Sequence, residues 1–250
     1  EVTCNPQGQV VGVVSIGDLR SIRVFVLGEA ERPGSYTVSG LATITNALFA
    51  SGGVKPIGSL RNIQLKRNGR LVQRLDLYDL LLNGDTSADV RLLPGDVIFI
   101  PPVGSTVGVT GEIRRPAIYE LKGESSAADL LYLGGGLTPA ADPALARIER
   151  IDERRDRVVV DVNLSHPEGR GTLLKSGDLM TIPGTRPTFK NAVQLGGQVH
   201  RPGTHQFRNG LRLTDLIPSI DELRPNADLH YVLIRREQPG TRRIQAFSAD

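Results

Sequence analysis

Three stretches of the chain are near-copies of one another. "VFVLGEAERPGSYTV" begins at Val24, "VGVTGEIRRPAIYEL" at Val107 and "VQLGGQVHRPGTHQF" at Val193. Gly28 and Gly111 are 83 residues apart, and Gly111 and Gly197 are 86 apart; Pro33, Pro116 and Pro202 keep the same two intervals. That period is too long for a solenoid of single supersecondary units. It is the size of a small domain, so each repeat is expected to build its own core.

The order within each repeat also recurs. About ten residues after each Arg-Pro comes a short helical pattern: Ile44, Ala47 and Leu48, then Ala127, Leu130 and Leu131, then Leu213, Leu216 and Ile217. Thr43 and Ser126 stand at the capping position of the first two. "SGGV" at 51–54 and "GGGL" at 134–137 end those helices in a left-handed cap, whereas Pro218 stops the third. A hairpin follows, with Asn68-Gly69 as the turn in the first copy, "DERRD" in the second and "EQPG" in the third. After a short apolar stretch (Leu80 to Leu82), "LLPGDVIFIPP" at 92–102 is mirrored by "LLKSGDLMTIPG" at 173–184. Each of these is a turn, an apolar strand and a closing proline. Two strands, a helix, a hairpin and a final strand predict an α+β fold of the β-grasp kind, one main helix lying across a small mixed sheet. The predicted divisions are an N-terminal segment at 1–20, then units at 21–103, 104–186 and 187–250, the last ending before its own closing strand.

Composition removes several function classes. The net charge is +3 and the signs are mixed, unlike the concentrated basic face of a nucleic-acid binder. Cys4 is the only cysteine, so no internal disulfide is possible. His166, His200, His205 and His230 show no metal-ligating spacing, and no nucleophile elbow or Cys-His pair is visible. The glycines at 134–136 follow an apolar helix, whereas a phosphate loop precedes its helix. No catalytic residue, metal site or cofactor is expected. There is no run of about eighteen apolar residues that would span a membrane as a helix.

The series V-x-G-x-x-x-R-P-G-x-Y, a short helix ending in GG, an R-N-G hairpin and P-G-D-x-I-x-I-P resembles the soluble-ligand-binding β-grasp domain, SLBB. Tandem copies resemble the bacterial outer-membrane polysaccharide export proteins, whose members carry an export domain ahead of the SLBB copies. The resemblance runs from about Ile22 onward. It implies a periplasmic location at the outer membrane of a Gram-negative bacterium and a homo-oligomeric conduit through which capsule or exopolysaccharide passes by weak, transient contacts. It also implies an inner-membrane polysaccharide co-polymerase as a partner. The alternative is a module that holds a discrete oligosaccharide or small molecule, and a glycan-modifying enzyme is a distant third.

The recurring residues have a structural and a functional reading. The Arg-Pro is a stiff corner between two strands, because proline sets its own φ and biases the residue before it toward extended backbone. The functional reading places Arg32, Arg115 and Arg201 on a surface facing anionic sugar or a neighbouring subunit, since a guanidinium holds a carboxylate through two parallel hydrogen bonds. Tyr36 and Tyr119, with His205 in the third copy, are candidate sugar platforms or half-buried corner residues. Asp96 and Asp178 read as turn residues. The charged hairpin at 147–157 and Arg235, Arg236, Arg242 and Arg243 read as solvated faces or subunit contacts.

Overall fold

A computed structural model describes residues 2–4, 10–12, 20–237 and 244–249. The expected "EQPG" turn, Arg242 and Arg243 lie outside the described residues. The chain divides into two compact units, Glu1–Thr185 and Arg186–Asp250.

The first unit opens with a two-stranded hairpin, β1 (Val2–Cys4) and β2 (Val10–Gly12). The first repeat then contributes β3 (Ser21–Gly28), β4 (Gly34–Ser39), α1 (Ile44–Ala50), β5 (Ile63–Arg67), β6 (Arg70–Leu75), α2 (Leu77–Asn83) and β7 (Val97–Ile100). These strands form one mixed sheet in the order β4-β3-β7-β5-β6. The second repeat contributes β8 (Thr106–Gly111), β9 (Ala117–Glu120), α3 (Ala127–Leu133), β10 (Ala146–Ile151), β11 (Arg157–Val162), α4 (Pro167–Arg170) and β12 (Leu179–Ile182). Its order, β9-β8-β12-β10-β11, is the same. In both, the last strand lies at the centre. β7 runs parallel to β3, with Val26 beside Ile98, and antiparallel to β5. β12 repeats this with β8 and β10, with Val109 beside Met180.

Each sheet is closed by its helix. Val24, Val26, Ile63, Leu65, Ile98 and Ile100 meet Ile44, Ala47 and Leu48 in one core. Val107, Val109, Ile148, Met180 and Ile182 meet Ala127, Leu130 and Leu133 in the other. Ser126 caps α3 as its spacing predicts: its hydroxyl accepts the Asp129 N–H, and Asp129 Oδ2 accepts the Ser126 N–H at 3.0 Å. Helix α1 starts from Thr43 with a similar box, Asn46 Oδ1 accepting the Thr43 N–H at 2.9 Å, and adds an aspartate from farther along the chain. The Thr43 hydroxyl donates to Asp89, whose Oδ1 accepts the Thr45 N–H at 3.0 Å. The apolar stretch around Leu80 to Leu82 is not a bare connector but part of α2, capped by Asp76 through the Tyr78 N–H.

Gly28 and Gly111 have φ of +83° and +87°, and a Cβ on either would collide with the backbone carbonyl of Ile100 or Ile182. Glycine recurs there because the central strand passes directly against it.

The second unit holds β13 (Ala192–Leu195), β14 (Gly203–Gln206), α5 (Leu213–Leu216), β15 (Val232–Glu237) and β16 (Ile244–Ala249). Pro218 follows α5 closely, as expected. β13–β14 and β15–β16 are separate two-stranded sheets.

Candidate functional site

The Arg-Pro corner is built the same way three times. Isolated bridges join Ala30 to Val54, Ile113 to Leu137 and Val199 to Leu223, tying the corner to the segment after each helix. In the first repeat Glu31 N–H donates to the Gly53 carbonyl and Arg32 N–H to that of Ser51, each at 3.0 Å. In the second, Arg114 and Arg115 do the same to Gly136 and Gly134. The tyrosine hydroxyls also turn inward. Tyr36 donates to the Arg32 carbonyl, and Tyr119 to that of Arg115 at 2.7 Å. Tyr119 is buried, and Tyr36 packs against the first core. Burial holds the Tyr119 phenol above its ordinary pKa, with the nearby Arg115 and its hydrogen bond opposing the shift. His205 occupies the equivalent place, with Nε2 buried and no partner among the described residues.

The arginine side chains divide. Arg115 lies flat over the turn after α3. A Cβ added at Gly135 would meet its Nε, Cζ and Nη2 at 3.2–3.4 Å, and Nη2 donates to the Leu133 carbonyl at 3.2 Å. Arg32 lies over Gly52 in the same way, its Nε 3.6 Å from where a Cβ would stand. Arg201 instead faces Glu222 at 3.8 Å.

The aspartates after the P-G and S-G turns do more than shape a turn. Asp96 is buried, and its carboxylate takes both Nε and Nη2 of Arg67 at 2.8 Å each. Asp178 takes Arg150 at 2.9 and 2.6 Å. Each fork ties the central strand to the hairpin beside it. Within the hairpin at 147–157, Arg150 is therefore a half-buried partner of a buried carboxylate rather than part of a solvated face.

The seam between the two repeats is a polar network that spacing in the sequence did not reveal. Glu120, buried at the end of β9, accepts from Ser59 Oγ (2.8 Å) and Gly104 N–H (3.0 Å) on one oxygen, and from Leu60 N–H (3.0 Å) and Arg61 N–H (3.3 Å) on the other. Arg61, 8% exposed, reaches Asp76 at 3.1 Å and both oxygens of Glu124 at 2.8 Å, and stacks 4.7 Å over the Tyr78 ring. Lys122 adds a second cation to Asp76 at 3.1 Å. Tyr78 and Leu82 of α2 pack into the core of the second repeat. Burial works against the Arg61 charge, but Glu124 and Asp76 outweigh it and raise its pKa further. Burial likewise opposes the Glu124 carboxylate, yet the backbone N–H groups of Lys122 and Glu124 and the Arg61 guanidinium hold it below the ordinary carboxylate range.

A groove of about 400 Å³ opens beside this seam, lined by Leu82, Asn83, Arg115, Leu131, Tyr132, Gly135 and Gly136. Among the described residues no group of His, Cys, Asp and Glu could hold a metal ion, and no helix is long and apolar enough to cross a membrane.

Two mixed sheets in tandem, each spanned by one main helix and closed by a central parallel strand, define a β-grasp protein of the SLBB type. The SLBB domain family matches residues 22–100 and again residues 106–161. The chain belongs to the SLBB family, in the tandem arrangement of polysaccharide export proteins. Two Escherichia coli proteins, each named polysialic acid transport protein KpsD, are 26% identical to it over 227 residues. The aligned region is 88% of this chain and 38% of theirs, so the chain spans under two fifths of these relatives' length.

Proposed function

We propose that this chain is the tandem-SLBB part of a polysaccharide export protein that acts in the periplasm at the outer membrane of a Gram-negative bacterium. Copies associate side by side into a conduit, and capsule or exopolysaccharide moves through it by weak, repeated contacts. The protein is a transporter rather than an enzyme, and an inner-membrane co-polymerase hands it the glycan. The likeness to proteins named for polysialic acid transport supports this reading. So does the seam, whose ion pairs and hydrogen bonds tie the two SLBB modules to each other. Arg32, Arg115 and Arg201 face glycan or a neighbouring subunit, with Tyr36, Tyr119 and His205 supporting their corners.

Analytical ultracentrifugation of the full-length protein tests the conduit. A discrete oligomer in detergent is expected, and a strict monomer in both detergent and buffer overturns it.

A further inference from the structure

The geometry points to a binding subsite for a carboxylate-bearing pyranose in the groove between Asn83 and Gly136. This deepens the export reading and rests on it. Three features converge there. First, Arg115 is the one ionisable cation of the lining, and the lining contains no acidic side chain. Its guanidinium donates to the Leu133 carbonyl, lies beside the Tyr119 phenol and takes part in no ion pair among the described residues. Its remaining N–H donors are therefore open to a carboxylate fork.

Second, Tyr132 presents its ring to solvent, 67% exposed on a helix whose neighbours Leu130 and Leu133 are buried. Its hydroxyl donates to Asn83 Oδ1 at 3.1 Å, which fixes the ring across the seam before any ligand arrives. A fixed aromatic face beside a few placed polar groups is the usual make-up of a small-ligand site. Third, the pair is repeated. Counting from the caps Thr43 and Ser126, Phe49 stands where Tyr132 stands, and it is 71% exposed on the helix that leads into Gly52, the turn over which Arg32 lies. An exposed large aromatic is costly to keep in water, and two at one register position, each on the helix leading into a turn covered by an arginine, mark a shared surface. The third repeat has Pro218 at that position.

In the subsite, Arg115 takes the sugar carboxylate, the Tyr132 ring covers an apolar sugar face and the Asn83 amide meets a hydroxyl. The experiment is an amide NMR titration of the full chain with hexagalacturonate, which carries one carboxylate per sugar, and with uncharged maltohexaose. Hexagalacturonate is expected to shift the amides of Arg115, Gly135 and Gly136, and maltohexaose to leave them in place. Arg115→Ala and Tyr132→Ala should each weaken binding about tenfold, and Arg147→Ala, on the exposed hairpin, should not. Tyr132→Ala removes an exposed ring and leaves the core intact, so the test survives if Arg115→Ala disturbs its turn. Groove amides that stay still, that respond equally to both sugars, or that respond unchanged in Tyr132→Ala overturn the subsite. Each of those results leaves the sedimentation of the full-length protein, and with it the conduit, untouched.

Discussion

The first two repeats and the third share a pattern of residues but not a core. In the first, Val24 and Val26 are fully buried beside Ile98 and Ile100; in the third, the matching Val193 and Leu195 are only partly covered. Ile44 is inaccessible, while Leu213 at its position is 38% exposed. Ile220, Leu229, Tyr231 and Leu233 are exposed as well, and Val199 is the one hydrophobic side chain of that unit buried among the described residues. The difference lies in the strand that joins the hairpins. β7 and β12 each bridge two hairpins into a five-stranded sheet, while among the described residues β13–β14 and β15–β16 are separate pairs. Gly197 keeps the left-handed backbone of Gly28 and Gly111, yet nothing lies within 4 Å of where its Cβ would be. A unit of this size has little apolar area to bury, and in the first two repeats the central strand gathers it into one core.

Six substitutions would break or sharpen this contrast. Arg61→Ala leaves Glu124 without its cation and Asp76 with Lys122 alone, removes the bond to the Glu120 carbonyl, and should cost the first unit about 3–5 kcal/mol. Thermal unfolding checks this, and amide exchange over residues 192–206 should not change. Gly111→Ala drives a methyl into the Ile182 carbonyl at a positive φ and should cost about 3 kcal/mol. Gly197→Ala, which meets only the backbone preference, should cost about 1–2 kcal/mol. Urea unfolding of both variants would show whether the central strand makes the difference.

Acid should act on the first unit through the seam. The Glu124 carboxyl is depressed in the folded chain, so its stabilising contribution is present above its unfolded pKa and is lost as pH falls through the folded one. Glu124→Gln should flatten that part of the stability–pH curve, as read by urea unfolding at stepped pH. The smallest effects concern the corner. Tyr119→Phe should cost about 1 kcal/mol through the hydrogen bond to Arg115, and His205→Tyr should restore a comparable bond in the third repeat. Melting temperatures of the two variants should move in opposite directions.

Much of this fold was legible in the chain because its signals are local. The Ser126 cap, the Asn68-Gly69 turn, the glycines after each helix and the stop at Pro218 depend on neighbours a few residues away. The match between "LLPGDVIFIPP" and "LLKSGDLMTIPG" marked the central strands. Helix α2 was missed because its apolar run is short and its partners, around Tyr119 and Glu120, stand some forty residues on. Asp96 and Asp178 were recognised as turn residues, but their arginine partners are about thirty residues away in charged hairpins. Nothing in such a hairpin distinguishes Arg150 from its solvated neighbours. Tyr132 and Phe49 carry no distinguishing sequence signal, because an aromatic residue late in an amphipathic helix looks the same whether it faces the core or the water.

The amino-acid order alone determined the three-fold repeat, the α+β class and the strand, helix and hairpin sequence of each unit, since these follow from periodicity, caps and turns. Only the tertiary structure decided that Glu120 and Arg61 lock two repeats together and that Arg115 and Tyr132 share a groove. Those outcomes depend on which distant segments meet, and burial makes a charge or a ring consequential only once its neighbours have excluded the water around it.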